Sequence, residues 1–198
     1  WAVDQDDNLR DPKIKGRQIE MMTELAGLYG DHPAMYGWYL PVEECLGPVP
    51  SDYAVEAVNS LTARARELTP GKKILISPYG IFNSDFDDPR YEQQLSRLTV
   101  DIIAYQDGVG VNHTSLEDSA KFYEILYKAH EKACRARLWA DVELFYFEDG
   151  TGGNLLPADF GKRIIRQLEA VSPYVDKVLC YQYLGIMNKP DTDIVAGH

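Results

Sequence analysis

Apolar residues fall along this chain in two alternating rhythms. Behind Pro12, residues Ile14, Ile19, Met22, Leu25, Ala26 and Leu28 recur mostly three or four apart, which predicts an amphipathic helix ending near Gly30. The turn Asp31-His32-Pro33 leads into Met35–Leu40, a short aromatic and apolar run that predicts a buried strand stopped by Pro41. The same exchange then repeats. Helical spacing over Tyr53–Leu68, with Ser51 or Asp52 as cap, precedes the strand Lys73–Ser77. A helix over Arg90–Leu98 precedes the strand Asp101–Gln106, and a long helix over Leu116–Ala136 precedes the strand Arg137–Phe145. A Gly-rich loop, Glu148–Asn154, a helix over Pro157–Val171 and a strand over Lys177–Tyr183 complete the pattern.

Strands alternating with helices predict a parallel α/β sheet. No GxGxxG or P-loop follows any strand, which argues against a nucleotide-binding doubly wound sheet. The strands end instead in acids, amides and aromatics, as at the rim of a (β/α)8 TIM barrel. A complete barrel needs eight strands and about 250 residues, whereas the pattern yields five strands in 198 residues. Residues 1–198 therefore read as a single domain, the C-terminal part of a TIM barrel carrying about strands four to eight. The opening helix is then the third, and the N-terminal units are missing: they lie in another chain or segment that supplies the strands, are disordered, or have been removed.

Composition narrows the choice of partner. A net charge of −11, with no Lys/Arg cluster, argues against nucleic acid and an anionic membrane surface. No run approaches the roughly 20 apolar residues of a membrane span. Three cysteines, Cys45, Cys134 and Cys180, form no CxxC and no disulfide framework, and the last two lie in apolar runs that read as buried thiols. The histidines show no HxH or HExxH spacing, and Asp85, Asp87 and Asp88 lack the Gly and Glu of an EF-hand, so no metal and no cofactor is expected. The chain opens on Trp1, which fits a processed start.

The chemistry concentrates at predicted strand ends. Glu43 and Glu44 follow Met35–Leu40 directly, with a solvated acidic loop as the other reading of that pair. Period-two alternation places Trp139, Asp141, Glu143 and Phe145 on one side of their strand. A Glu between Val142 and Leu144 is costly to bury unless it is paired or functional. Gln106, Asp107 and Gln182 close other strands; amides there can hold sugar hydroxyls or bond to a neighbouring strand, and Asp107-Gly108 also reads as a turn. Thirteen tyrosines include Tyr39, Tyr79, Tyr105 and Tyr181 near strand ends, where rings can carry the C–H face of a sugar or simply fill the core. With Trp38, these residues make up the candidate substrate-binding set: Trp38, Tyr39, Glu44, Tyr79, Tyr105, Gln106, Asp107, Trp139, Asp141, Tyr181 and Gln182.

At GWYLPVEE, ISPYG, DIIAYQDGVG and LWADVELF, in that order, the chain resembles a family of uncharacterised bacterial proteins. That family is a domain of unknown function with a glycoside-hydrolase-like TIM barrel. The resemblance spans most of Pro12–Asn188 and implies a barrel, a carbohydrate substrate and export to the periplasm or cell surface. The chain is more loosely similar to the large clan of retaining glycosidases, which carry an acid/base Glu at the end of strand four and a nucleophile Glu at the end of strand seven. With the opening helix as the third, that resemblance implies Glu43 as acid/base and Glu143 as nucleophile. One departure stands out: the clan has Asn before the strand-four Glu, and here Val42 precedes Glu43. A glycoside hydrolase is the leading expectation. A carbohydrate-binding barrel without catalysis and an interaction or scaffold domain are its rivals.

Overall fold

A computed structural model describes residues 11–42, 46–148 and 153–182. Helix α1, Pro12–Tyr29, starts as its sequence demands: Asp11 caps it by accepting the Lys13 N–H, and Pro12 occupies the first turn. Strand β1, Gly37–Tyr39, follows. A Cβ at Gly37 would lie 2.0 Å from the Lys73 carbonyl oxygen, so only glycine lets β1 approach the next strand here. Helix α2, Asp52–Leu68, is capped by Ser51, whose hydroxyl accepts the Ala54 N–H, and it buries Val55, Val58, Leu61 and Ala65 at helical spacing. Then come β2, Lys73–Ile76, helix α3, Pro89–Arg97, and β3, Ile102–Gln106. Helix α4, Leu116–Ala133, is capped by Ser115 and followed by β4, Arg137–Glu143.

The chain then departs from the sequence expectation. The predicted strand Arg137–Phe145 breaks at Leu144, and Phe145–Phe147 begins a separate strand, β5. It pairs antiparallel with β6, Leu155–Pro157, so an unexpected pair of short strands flanks the Gly-rich stretch Glu148–Asn154. The apolar run LFYF hides the break, because period-two patterning is the same on either side of it. The backbone supplies the reason: the Leu144 N–H donates to the Tyr181 carbonyl and the Leu144 carbonyl accepts from Ala158. The predicted helix over Pro157–Val171 is accordingly shorter. Asp159 caps a wide π turn, Phe160–Ile164, that runs into helix α5, Ile165–Val171. Strand β7, Val178–Tyr181, is the last described element.

Five strands form one parallel sheet in the order β1-β2-β3-β4-β7, with β1 and β7 as its edges. The sheet curls into a half-barrel with its helices on the convex side, so the fold is that of a TIM barrel represented in part. Alternate residues separate two layers. Ile74, Ile76, Ile103, Leu138, Ala140 and Val142 pack under the helices in the main core. Ile102, Ala104 and Trp139, with Leu75 and Leu179 against them, form a smaller cluster on the concave face.

Two buried polar side chains of the helical layer, His130 and Tyr123, are hydrogen-bonded. His130 faces the Ala136 carbonyl at 3.0 Å through Nδ1, which must therefore carry the proton. Burial lowers its pKa, so the ring is neutral and Nε2 accepts from the Tyr105 hydroxyl at 3.2 Å. The Tyr123 hydroxyl in turn donates to the Tyr105 carbonyl at 2.5 Å. Cys134 and Cys180 are exposed, contrary to the buried thiols expected from their apolar neighbours: Cys134 ends α4 in a left-handed conformation and Cys180 lies on the edge strand β7. Among the described residues no helix is long and apolar enough to cross a membrane.

Candidate active site at the ends of β3 and β4

Three carboxyl groups come together where β3 and β4 end. Pairing of Gln106 with Asp141 sets β3 and β4 in register, so Asp107 lies one residue beyond β3 beside the last turn of the β4 ladder. Its N–H donates to the Asp141 carbonyl at 3.0 Å. Trp139, Asp141 and Glu143 alternate onto the concave face, whereas Asp107, one step out of phase with Ala104 and Gln106, turns under the sheet toward α5.

Glu143 is buried. The Val111 N–H donates to its Oε2 at 3.0 Å, and the Gly110 N–H also favours its charged form. A Cβ at Gly110 would stand 2.7 Å from the Glu143 Cβ, so the loop can close over the carboxyl only because residue 110 is glycine. Burial pushes the Glu143 pKa up to about 7, and the negative charges of Asp107 and, less strongly, Asp141 push the same way against those two N–H groups. Asp141 accepts from the Ser77 hydroxyl at 2.8 Å.

Asp107 is completely buried, and three donors converge on it. Oδ1 accepts the N–H groups of Val109 and Glu143, each at 3.2 Å, and Oδ2 accepts from Gln167 Nε2 at 2.7 Å. Burial still raises its pKa to about 6, with these hydrogen bonds and the Arg163 charge opposing. Gln167 Nε2 also donates to the Glu143 carbonyl at 3.1 Å. Arg163 completes the cluster: Nε donates to Gln167 Oε1 at 2.9 Å, and Nη2 donates to the carbonyls of Glu143 and Phe145 at 2.9 and 2.5 Å. These bonds tie the end of β4 and the start of β5 to the π turn and α5.

Such an arrangement can move a proton near neutral pH. A desolvated carboxyl on a concave face, with a second carboxylate buried beneath it, has the environment of a general acid, base or nucleophile. Among the described residues no group of three or more His, Cys, Asp or Glu is placed to hold a metal ion.

A family model described as Domain of unknown function (DUF4434) matches residues 4–193. The chain belongs to this family. Solved structures share its fold. A "putative alpha-L-fucosidase" from Bacteroides thetaiotaomicron superposes with a TM-score of 0.71 at 19% identity, over 89% of this chain and 57% of that one. GH5_18 from Streptomyces cattleya, in complex with GlcNAc, superposes at 0.60 with 16% identity, over 93% of this chain and 48% of that one. A beta-D-glucuronidase from Dictyoglomus thermophilum superposes at 0.58 with 16% identity, over 91% of this chain and 31% of that one. The chain thus spans between about a third and somewhat over half of these proteins, and at such identities the likeness shows the glycoside-hydrolase-type barrel fold. No curated protein matches the sequence.

The residues expected at the site divide into three groups. Glu143, Asp141, Trp139 and Gln106 lie on the concave face, and Tyr39, Tyr79 and Tyr181 are exposed at or just beyond the ends of β1, β2 and β7. Gln106 is half-buried and donates to the Ser77 carbonyl at 3.1 Å, which ties it to β2. Gln182 is half-buried just after β7. Tyr181 packs edge-on to Phe145, with ring centroids 6.2 Å apart. Trp139 is too deep for the rim: its indole is buried, and the Lys177 ammonium sits 5.1 Å from its ring.

Three residues expected to touch substrate face the other way. Trp38 turns into the helical layer, where its indole N–H donates to Thr69 Oγ1 at 2.7 Å. Tyr105 is buried there against His130. Asp107 has no exposed surface, so it does not reach the concave face. In each case the residue is one step out of phase with its concave-facing neighbours. Glu43 and Glu44 lie outside the described residues, as do Cys45 and Tyr183. Sequence reasoning missed Gln167 and Arg163. Their i, i+4 spacing was a faint signal, since it puts an amide and a guanidinium on one face.

Proposed function

We propose that this chain is the catalytic part of a glycoside hydrolase barrel and that Glu143 is one of its two working carboxyl groups. The observation that supports it most is a carboxyl buried on the concave face at the C-terminal end of an interior barrel strand, with no ion pair to it among the described residues. In TIM barrels that end of the strands carries the chemistry. Glycosidic cleavage uses one carboxyl to protonate the leaving oxygen and a second to attack the anomeric carbon or activate water. By resemblance Glu143 is the nucleophile of a retaining reaction and Glu43 the acid/base. The exposed rings of Tyr39, Tyr79 and Tyr181 suit the apolar faces of a glycan. Three further β/α units, from the same polypeptide or a partner, would close the barrel between β7 and β1. The exposed α1 row Met21, Leu25, Leu28 and Tyr29 and the two sheet edges offer apolar and hydrogen-bonding surface for them.

The nucleophile role carries a pH signature. Attack requires the carboxylate, so kcat/KM for an aryl glycoside rises as Glu143 ionises through about pH 7. One observation favours a second reading: the same burial leaves a large share of Glu143 protonated near pH 7, the state of a proton donor, and the limb would then fall through about pH 7. The test is a panel of aryl glycosides, including the L-fucoside, N-acetylglucosaminide, mannoside and glucuronide, assayed with the unmutated protein and Glu143→Gln. Turnover is expected to drop by at least about 10³-fold in the variant, and a 2-deoxy-2-fluoro glycoside is expected to label the Glu143 peptide. Undiminished turnover in Glu143→Gln would refute the reading. Loss of turnover without labelling, together with a falling limb, would move Glu143 to the proton-donor role.

A further inference from the structure

We infer that Asp107, Gln167 and Arg163 form a positioning unit for Glu143, in which a buried negative charge clamped to the Glu143 backbone governs where that side chain sits and when it gives up its proton. The inference deepens the reading of Glu143 as a working carboxyl, and its geometric half stands without that reading.

The hydrogen bonds run in one direction. Arg163 has only donors, so its Nε must meet the oxygen of Gln167, which forces the Gln167 amide nitrogen toward Asp107 and the Glu143 carbonyl. Asp107 then faces three donors, the Gln167 Nε2 and the N–H groups of Val109 and Glu143. An ionised carboxylate satisfies all three, because both of its oxygens accept. An asparagine would bring its own NH2 against a donor on one side or the other. A simple strand-end turn could be built with Asn or Ser, so these three donors single out the charge. That charge is fully buried and attached through a peptide N–H to the residue whose carboxyl reaches the concave face. Arg163 is itself half-buried, and its Nη2 bonds go to carbonyl oxygens and not to either carboxylate, so it anchors the backbone and leaves the Asp107 charge unneutralised by direct contact.

The charged and titratable groups that face Glu143 come from every side. Asp107 lies beyond β3 and Asp141 on β4 itself. Arg163 comes from the π turn before α5, and Tyr123 comes from α4. Cys180 on β7 senses the two aspartates. Among these, Asp107 acts on Glu143 more strongly than Asp141 does, and Arg163 opposes both.

The test reads the carboxyl groups directly, by ¹³C NMR of the intact protein labelled at Asp and Glu side chains, with Glu143→Gln and Asp107→Asn assigning the two signals. In the unmutated protein the Glu143 signal is expected to titrate near pH 7 with a second inflection near pH 6, where Asp107 ionises. Asp107→Asn is expected to move the Glu143 titration down by about one pH unit or more. Gln167→Met keeps the volume but removes a donor to the carboxylate, and it is expected to move the Asp107 titration up. If turnover is found, its pH limb should shift with the Glu143 signal in Asp107→Asn, a change that a purely structural role would not produce. A single-step Glu143 curve in the unmutated protein, or a Glu143 titration unmoved in folded Asp107→Asn, overturns the inference. If Asp107→Asn does not fold, the unmutated curve and Gln167→Met decide it. Absence of turnover in every protein, with the coupled titrations present, would sink the hydrolase and leave the positioning unit standing.

Discussion

Asp107, Asp141, Glu143 and Gln167 are buried where β3 and β4 end, whereas Met21, Leu25, Leu28 and Tyr29 stand exposed along α1. Each region inverts the usual preference, with polar groups inside and apolar groups outside. At the ends of β3 and β4 the inversion is compensated: the Asp107 oxygens each have a donor, and Gln167 uses both its amide nitrogen and its oxygen. On α1 the apolar side chains Met21, Leu25, Leu28 and Tyr29 stay exposed among the described residues: of that helix only Met22 is fully buried, with Ile19 and Ala26 packed partly buried against the core. Interior strands with neighbours on both sides and helices beneath can hold a polar network in fixed geometry. A helix at the sheet margin, packed mainly on α2, has only one side to bury. The contrast teaches that buried polarity in this half-barrel is held where a hydrogen-bond network can satisfy it, and that apolar surface stays open where the described residues supply nothing to cover it.

The contrast can be broken or sharpened by measurement. The largest effect is expected in the core beneath the site. Ile103 has no exposed surface, and Ile103→Ala should cost about 2–5 kcal/mol in urea unfolding. A cost below 1 kcal/mol would mean that β3 is not the rigid support described here.

Next comes pH. Burial raises Glu143 from 4.5 to about 7 and Asp107 from 3.8 to about 6, so the folded state holds protons that the unfolded chain has released. The resulting stabilisation is fully present below about pH 4 and is lost as pH rises through 6 and 7, at about 1.4 kcal/mol per pKa unit. Urea midpoints should therefore fall between pH 4.5 and 7.5, and Glu143→Gln should flatten the slope. A midpoint that rises over this range would contradict the buried carboxyls.

A smaller cost, about 1–3 kcal/mol, is expected for Gly110→Ala, because its Cβ meets the Glu143 Cβ and the Phe145 carbonyl oxygen at 2.7 Å. Melting temperature measures the cost, and loss of the raised Glu143 titration would show that the loop positions that side chain. Smallest of all, Leu28→Ala should change stability by no more than about 0.5 kcal/mol, since the side chain is 64% exposed. A loss of 2 kcal/mol or more would show that α1 is covered by something that the described residues do not include.

Much of the fold was legible because it rests on local rules. Helical spacing, with Pro12 opening one helix and Ser51 capping another, and short apolar runs between the helices located each parallel strand and most helices. The site was legible in part. Glu143 stood out because a carboxyl between Val142 and Leu144 is costly, and period two correctly put it on the same face as Trp139 and Asp141. The phase of neighbouring strands was harder. Trp38 and Tyr105 have the same aromatic character as Tyr39 and Tyr181, and only the packing of helices against one face of the sheet shows which ring is core. The β5–β6 hairpin escaped because an apolar alternation continues through the break at Leu144.

By itself the sequence determined the parallel α/β order, the caps, the acidic balance and the placing of Glu143 at a strand end, since each depends on residues within a few positions of one another. The tertiary structure alone decided that Asp107 turns under β4 and not outward, that Gln167, sixty positions away, orients toward it, and that Arg163 locks that amide in place. It also decided that the Gly110 loop closes over Glu143. The physical reason is that a buried charge is defined by what surrounds it. Its donors come from β4, the Val109 loop and α5, and its effect on a neighbouring carboxyl depends on distances and desolvation that exist only once the strands are in register and the helix is packed beneath them.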